Sequence, residues 1–263
     1  MIQKKEVLKL DVKNHLAIVS LNRPEVLNAF NPELKNSFIS TMEKIRDDNS
    51  IWVVIIRGEG GRAFSAGADL KWRSQNEEKV KSDHLRNKDI YFNNSKFRFW
   101  KPVIAAIEGY AVGGGLELAL ACDIIIASDD SKLGFPEPRR GLMADGGGVA
   151  GLIRQIPLKL AMELIFTGEL ITAEKARDMG LVNYVTTKDN LMIKAESIAE
   201  SIMKCSPNAI KAAKQAVVLG RDLPYDESQI SEFSMFKKLK NSQDFLEGPK
   251  AFSEKREPKW IIE

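Results

Sequence analysis

Three short segments place chemically useful groups close together. Residues 63–72, AFSAGADLKW, gather small side chains around Gly67 just past an apolar run, where backbone N–H groups can come close to a ligand. A plain tight turn would use the same residues. In the second, Gly109-Tyr110-Ala111-Val112-Gly113-Gly114-Gly115-Leu116-Glu117, a glycine-rich turn leads into helix-forming residues. The N–H groups at such a helix start favour negative charge, although helix–strand packing alone also calls for glycines. The third, Gly134-Phe135-Pro136-Glu137, sets an acid beside a proline on a short loop. Most loop acids are simply solvated, so this one counts only in company.

Other chemistries find less support. Only two histidines are present, His15 and His84, both beside polar or charged neighbours, which leaves little for a histidine triad or a multi-histidine metal site. Of the two cysteines, Cys122 sits within the apolar run LALACDIII, and Cys205 stands far from it, so neither a disulfide framework nor a cysteine metal site is expected. Gly58-Glu59-Gly60-Gly61-Arg62-Ala63 fits G-x-G-x-x-A and Gly146–Gly151 fits G-x-G-x-x-G. The first runs on into no helix start and the second follows no strand, so neither has the context of a dinucleotide site. No G-x-x-x-x-G-K-[ST] is present to cradle a phosphate. The 263 residues carry 39 Lys+Arg against 36 Asp+Glu, well mixed, for a net charge of +3. No basic block marks a nucleic-acid tail.

The elements around these segments can be read from hydrophobic pattern. Residues 6–21 alternate apolar and polar around Lys13-Asn14, predicting a hairpin. Asn31-Pro32-Glu33 predicts a helix start, with Leu34, Phe38, Met42 and Ile45 on one face. Apolar runs at 52–56, 103–107 and 124–126 predict strands covered on both faces. One helix is expected over 71–101, burying Tyr91, Phe92, Phe97, Phe99 and Trp100 at its far end, with 72–100 as the pocket wall. Beyond Gly146 the chain is mostly helical, with a short strand at LVNYV. The opening residues lack the basic-then-apolar pattern of a signal peptide, and no apolar run approaches membrane-spanning length, so a cytoplasmic location is expected.

Taken in order and spacing, these motifs resemble the crotonase superfamily, the enoyl-CoA hydratase/isomerase group. The likeness begins at Leu21-Asn22-Arg23-Pro24-Glu25-Val26-Leu27-Asn28-Ala29-Phe30. It continues through AFSAGADL, KPVIAAIEGYAVGGGLELALACDIIIAS, FPEPRRGL and the Gly146–Gly148 triplet to TGELITAEKARDMGLVN. It implies an α/β fold, a spiral of ββα units over 1–195, with a C-terminal helical region over 196–263 used in a homotrimer or dimer of trimers. It also implies an acyl-CoA thioester substrate and no metal or separate cofactor. By position, the family's two oxyanion donors fall on the Ala68 and Gly114 N–H groups. The glutamates that serve hydratases fall on Glu117, assigned to water activation, and Glu137, assigned to proton donation. Ala66 and Lys71 are placed along the CoA moiety, and Arg23 near its nucleotide end.

In one place the chain departs from the common hydratase pattern. After the second glutamate it reads Leu142-Met143-Ala144-Asp145-Gly146-Gly147-Gly148, where many hydratases have a Pro-Gly-Ala-Gly-Gly-like turn. Asp145 is thus a third catalytic carboxylate, a substrate contact, or a cap for the helix that follows. An aspartate here resembles dienoyl-CoA isomerases and some carnitine-related CoA hydratases. Hydration of a 2-enoyl-CoA is the leading expectation, and double-bond migration the alternative. An RNA-binding branch of the family uses lysine-rich helices, but the first helix here has only Lys35 and Lys44, so nucleic acid is not an expected partner.

Overall fold

The computed structural model describes residues 6–76 and 97–261. Two sheets carry the site. The larger runs in the order β1 (Leu8–Lys13), β2 (Leu16–Leu21), β3 (Val53–Gly58), β5 (Val103–Ile107), β7 (Ile124–Ser128), β10 (Tyr184–Thr186). The smaller runs β4 (Ala63–Ser65), β6 (Tyr110–Val112), β8 (Lys132–Gly134), β9 (Ile171–Thr172). The pairs β1·β2 and β8·β9 are antiparallel and the remaining pairs parallel.

Each strand of the large sheet's centre is followed by one of the small sheet: β3 by β4, β5 by β6, β7 by β8. The first two such pairs lead into short helices, α2 (Leu70–Ser74) and α3 (Gly114–Ala121). This gives the expected ββα spiral its physical form. The three-residue strands β4, β6 and β8 were too short to show a period in the sequence. The predicted hairpin forms one residue later than read, with Asn14 and His15 both at positive φ as its two turn residues and Lys13 facing Leu16.

Alternate residues of the central strands point to opposite faces, and both faces are covered. Val54, Ile56, Val103, Ala105, Ile107 and Ile125 join the main core with Leu34, Phe38, Met42 and Ile45 of α1 (Pro32–Asp47). Val53, Ile55, Ile104, Ala106 and Ile126 pack instead on Leu191, Ala195 and Ala199 of a long helix, Lys188–Met203. That helix therefore belongs to the core, and the boundary expected after residue 195 falls inside it. The chain breaks stride at Ser206, whose side chain accepts from Ala209 N at 3.0 Å and opens the helix Pro207–Gly220. α1 starts as predicted, with the Asn31 side chain accepting from Leu34 N at 2.9 Å and Pro32 in the first turn.

Of the helix expected over 71–101, α2 gives a start that stops at Ser74, and its expected far end at 97–101 is turn and irregular chain, not helix. Phe97 and Phe99 are buried in core packing, and Tyr91, Phe92 and His84 lie outside the described residues. Both cysteines are free, Cys122 buried and Cys205 exposed. His15 is an exposed residue stacked on Trp52. Among the described residues no helix is long and apolar enough to cross a membrane.

Candidate active site

The segment after β4 is held by Asn28, which is fully buried at positive φ. Its Nδ2 donates to the Glu59 and Ala63 carbonyls at 3.0 and 2.8 Å, and its Oδ1 accepts from Arg23 N at 2.9 Å. Ser65 Oγ donates to the Asn28 carbonyl at 2.9 Å and accepts from Gly67 N at 3.1 Å. Ala68 then forms an isolated parallel bridge with Phe30, made by Phe30 N to Gly67 O (2.7 Å) and Asp69 N to Phe30 O (3.0 Å). In such a bridge the flanking residues bond, so the Ala68 N–H points to the other side.

That other side faces the start of α3. Gly67 has φ +81°, and a Cβ added to it would lie 2.6 Å from Gly114 N and 2.8 Å from the Val112 carbonyl. Only glycine permits this approach of the two backbones. Gly114 is the first residue of α3, so its N–H has no partner within the helix. Ala68 and Gly114 thus bring two backbone donors to one cavity of about 690 Å³. Gly113 before it has φ +56° and ψ −127°, again a glycine conformation.

Both glutamates line the same cavity as the Gly114 donor. Glu117 sits one turn into α3, where side chains lean toward the helix N-terminus, and it is 6% exposed. Its Oε1 accepts from Gly148 N at 2.8 Å. Glu137 begins the 3-10 turn Glu137–Arg140. Its carboxylate lies over Gly113, where an added Cβ would meet Oε1 at 2.8 Å. Glu137 Oε2 is buried with no hydrogen-bond partner among the described residues. Burial pushes the Glu137 carboxyl up to about 7, with the Glu117 and Asp145 charges adding to the rise while a backbone hydrogen bond and Arg140 oppose it. A carboxyl at that value is protonated in about half the molecules at neutral pH and can give that proton away.

Asp145 also lines the cavity and is exposed. It does not cap the next helix, Gly148–Leu152, whose N-cap is Gly147 with no side-chain bond. Of the three readings of Asp145 the cap is therefore set aside. Ala66 lines the cavity, while Lys71 lies exposed on α2 outside the lining. Arg23 is engaged locally, its Nη1 donating to the Ala29 carbonyl at 2.5 Å and pairing with Asp69 at 3.1 Å. It braces the donor segment through these contacts.

Sequence reasoning passed over three kinds of residue. Asn28 was read only as part of a motif, and no local pattern announces a buried asparagine at positive φ. Gly148 stood out as a glycine but not as a donor to a glutamate 31 positions earlier. Lys35, Arg73 and Arg140 supply cations to the cavity wall beside Phe30, Leu70, Trp72 and Met143. Of the expected wall over 72–100, Trp72 and Arg73 are present and 77–96 lie outside the described residues.

A cavity of this build suits acid–base chemistry beside a carbonyl whose oxygen gathers negative charge. The chain belongs to the enoyl-CoA hydratase/isomerase family, within the crotonase superfamily, and the family model matches residues 11–262. It is 40% identical over 249 residues to the (E)-benzylidenesuccinyl-CoA hydratase of Thauera aromatica, covering 95% of this chain and 96% of that one. It is 36% identical to the short-chain-enoyl-CoA hydratase of Clostridium acetobutylicum, covering 94% of each. Among solved structures, an enoyl-CoA hydratase from Bacillus anthracis superposes with a TM-score of 0.91 at 35% identity, over 97% of this chain and 99% of that one.

Proposed function

We propose that the protein hydrates a 2-enoyl-CoA reversibly to a 3-hydroxyacyl-CoA. The observation that carries this reading is the placement of two unlike carboxyl groups beside paired backbone donors: Glu117 held by a backbone N–H, and Glu137 buried with a pKa raised to about 7. A carboxylate fixed by a backbone hydrogen bond is positioned to take a proton from water. A buried carboxyl whose pKa is raised to about 7 is suited to donate one.

In the forward direction the thioester oxygen receives the Ala68 and Gly114 N–H groups. Glu117 removes a proton from water as the water oxygen bonds to Cβ, and the double-bond electrons move toward the thioester oxygen as an enolate. The enolate collapses as Cα takes the proton of Glu137. One water has been added, Glu117 is protonated and Glu137 ionised, and exchange with solvent resets both. One oxyanion donor contributes ~3 kcal/mol to such a step.

The CoA moiety is assigned to the 66–71 segment, with Lys71 available to its phosphates and no separate cofactor needed. Large exposed apolar side chains on the C-terminal helices, Val217, Tyr225, Ile230, Leu246 and Phe252 among them, support a homotrimer or dimer of trimers. A cytoplasmic location completes the reading. Double-bond migration is the second reading, favoured by Asp145, which lines the cavity without a capping bond. The acyl groups in the relatives' names differ widely, so likeness alone does not select one.

The test is turnover of Glu117→Gln and Glu137→Gln. Each should lose ~10²–10⁴ in rate while CoA-ester binding is mostly kept. Near-wild-type turnover in both variants would end the two-glutamate assignment.

A further inference from the structure

Of the cations on the cavity wall, Arg140 stands on the Glu137 turn and takes part in neither proton transfer. Arg139 and Arg140 close the turn that begins at Glu137, and they diverge. Arg139 turns outward, its Nε donating to the Thr167 carbonyl at 2.8 Å and its Nη2 lying 3.4 Å from Glu169. Arg140 lines the cavity beside Leu142 and Met143. Its Nη1 has a long contact, 3.4 Å, to the Pro136 carbonyl, and although its charge acts on Glu137, it forms no close ion pair with a carboxylate among the described residues.

The hydratase reading, on which this inference rests, sets the direction of the substrate. The Ala68 and Gly114 donors fix the thioester oxygen, the CoA side leads back along 66–71, and the glutamates face Cα and Cβ. Arg140, on the Glu137 turn, therefore meets the acyl group beyond Cβ. A neutral acyl group offers a guanidinium nothing to bind. An acyl group with its own carboxylate would meet the acidic side of the cavity, Glu117 and Asp145, unless a cation offset them. We propose that the acyl group carries a second, free carboxylate a few bonds beyond the double bond, and that Arg140 holds it as the specificity-determining residue.

Two probe pairs of equal chain length test this. For binding, glutaryl-CoA is compared with pentanoyl-CoA by calorimetry, since neither can be hydrated. The wild type should bind the carboxylated ester about tenfold more tightly, as expected for one hydrogen-bonded charge pair. Arg140→Gln should erase the difference, and Arg140→Lys should keep part of it. For turnover, glutaconyl-CoA is compared with 2-pentenoyl-CoA, reading the ratio of kcat/KM in each variant, which cancels any general effect of the substitution on Glu137 or on folding. Equal affinities and equal kcat/KM in the wild type would overturn the inference and leave the hydratase reading standing. A binding preference that Arg140→Gln removes, with neither enoyl ester hydrated, would uphold the Arg140 assignment and sink the hydratase reading instead.

Discussion

The Gly148 backbone N–H donates to Glu117 Oε1 at 2.8 Å, so the glycine-rich segment after the second glutamate holds the first one in place. The two acids are therefore coupled through the chain that joins them. Glu137 begins the turn, Ala144 and Asp145 follow, and Gly148 returns to Glu117. A side chain at 148 has no room, because an added Cβ would lie 2.7 Å from Ala144 Cβ, 2.8 Å from the Phe135 ring and 3.0 Å from Glu117 Oε1.

Gly148→Ala should therefore displace the Glu117 carboxylate or the helix that starts there. Overpacking of this kind costs about 1–3 kcal/mol, read as a lowered Tm. The rate of hydration should fall by about tenfold or more at unchanged CoA-ester affinity, since a misplaced base loses catalysis before binding. Unchanged kcat would show that the Gly148 contact does not position Glu117.

Glu137 sets the pH dependence. Hydration uses its protonated form, so kcat/KM for hydration should fall as pH rises through about 7, the value to which burial pushes this carboxyl. Dehydration uses the ionised form and should rise over the same range. Stability follows the same proton. The folded state binds it more tightly than the unfolded one, so stability falls between the ordinary glutamate value and about 7 and is lowest above it. Glu137→Gln should thus raise stability at pH 8 on the order of 1–2 kcal/mol after solvent screening at a half-buried site, with the gain vanishing near pH 4. A stability difference independent of pH would contradict the raised value.

What the sequence made legible was whatever has a period or a cap. The face Leu34, Phe38, Met42 and Ile45 and the three apolar strands fall where pattern placed them, because a helix or a buried strand repeats its side-chain environment. The ordered motifs placed Glu117 and Glu137 in one cavity with Ala68 and Gly114. Lost to sequence were the contacts that depend on folding at long range. Gly148 reaching Glu117, Arg23 committed to Asp69, and the long helix at 188–203 closing the second face of the sheet have no local signature. A cap was one of the readings open for Asp145, because an aspartate just before a helix often is one, yet that helix begins at Gly148 behind an uncapped Gly147.

Asn28→Ala removes a side chain that satisfies the Glu59 and Ala63 carbonyls and the Arg23 N–H in a fully buried position. Leaving those groups unpaired should cost about 2–3 kcal/mol, measured by denaturant unfolding. Because those side-chain bonds also hold the positive-φ Asn28 backbone whose carbonyl accepts from Ser65 Oγ, and Ser65 in turn accepts from Gly67 N, KM and kcat should both worsen. Wild-type stability in this variant would remove Asn28 from the support of the donor segment.

Asp145→Asn separates the two readings of the reaction. With no cap to lose, unfolding stability should stay within about 1 kcal/mol of wild type. Water addition should be mostly retained, since Glu117 and Glu137 supply both proton transfers. Complete loss of activity at unchanged stability would assign Asp145 a proton-shuttling role and favour double-bond migration.

The most direct measurement is the mass of the product formed by the wild-type enzyme from 2-enoyl-CoA substrates in oxygen-18 water, alongside the loss of conjugated-thioester absorbance. Addition of one water, with the heavy oxygen retained in the acyl group, is the predicted result. A product of unchanged mass whose double bond has moved would contradict hydration and establish isomerisation at the same pair of glutamates.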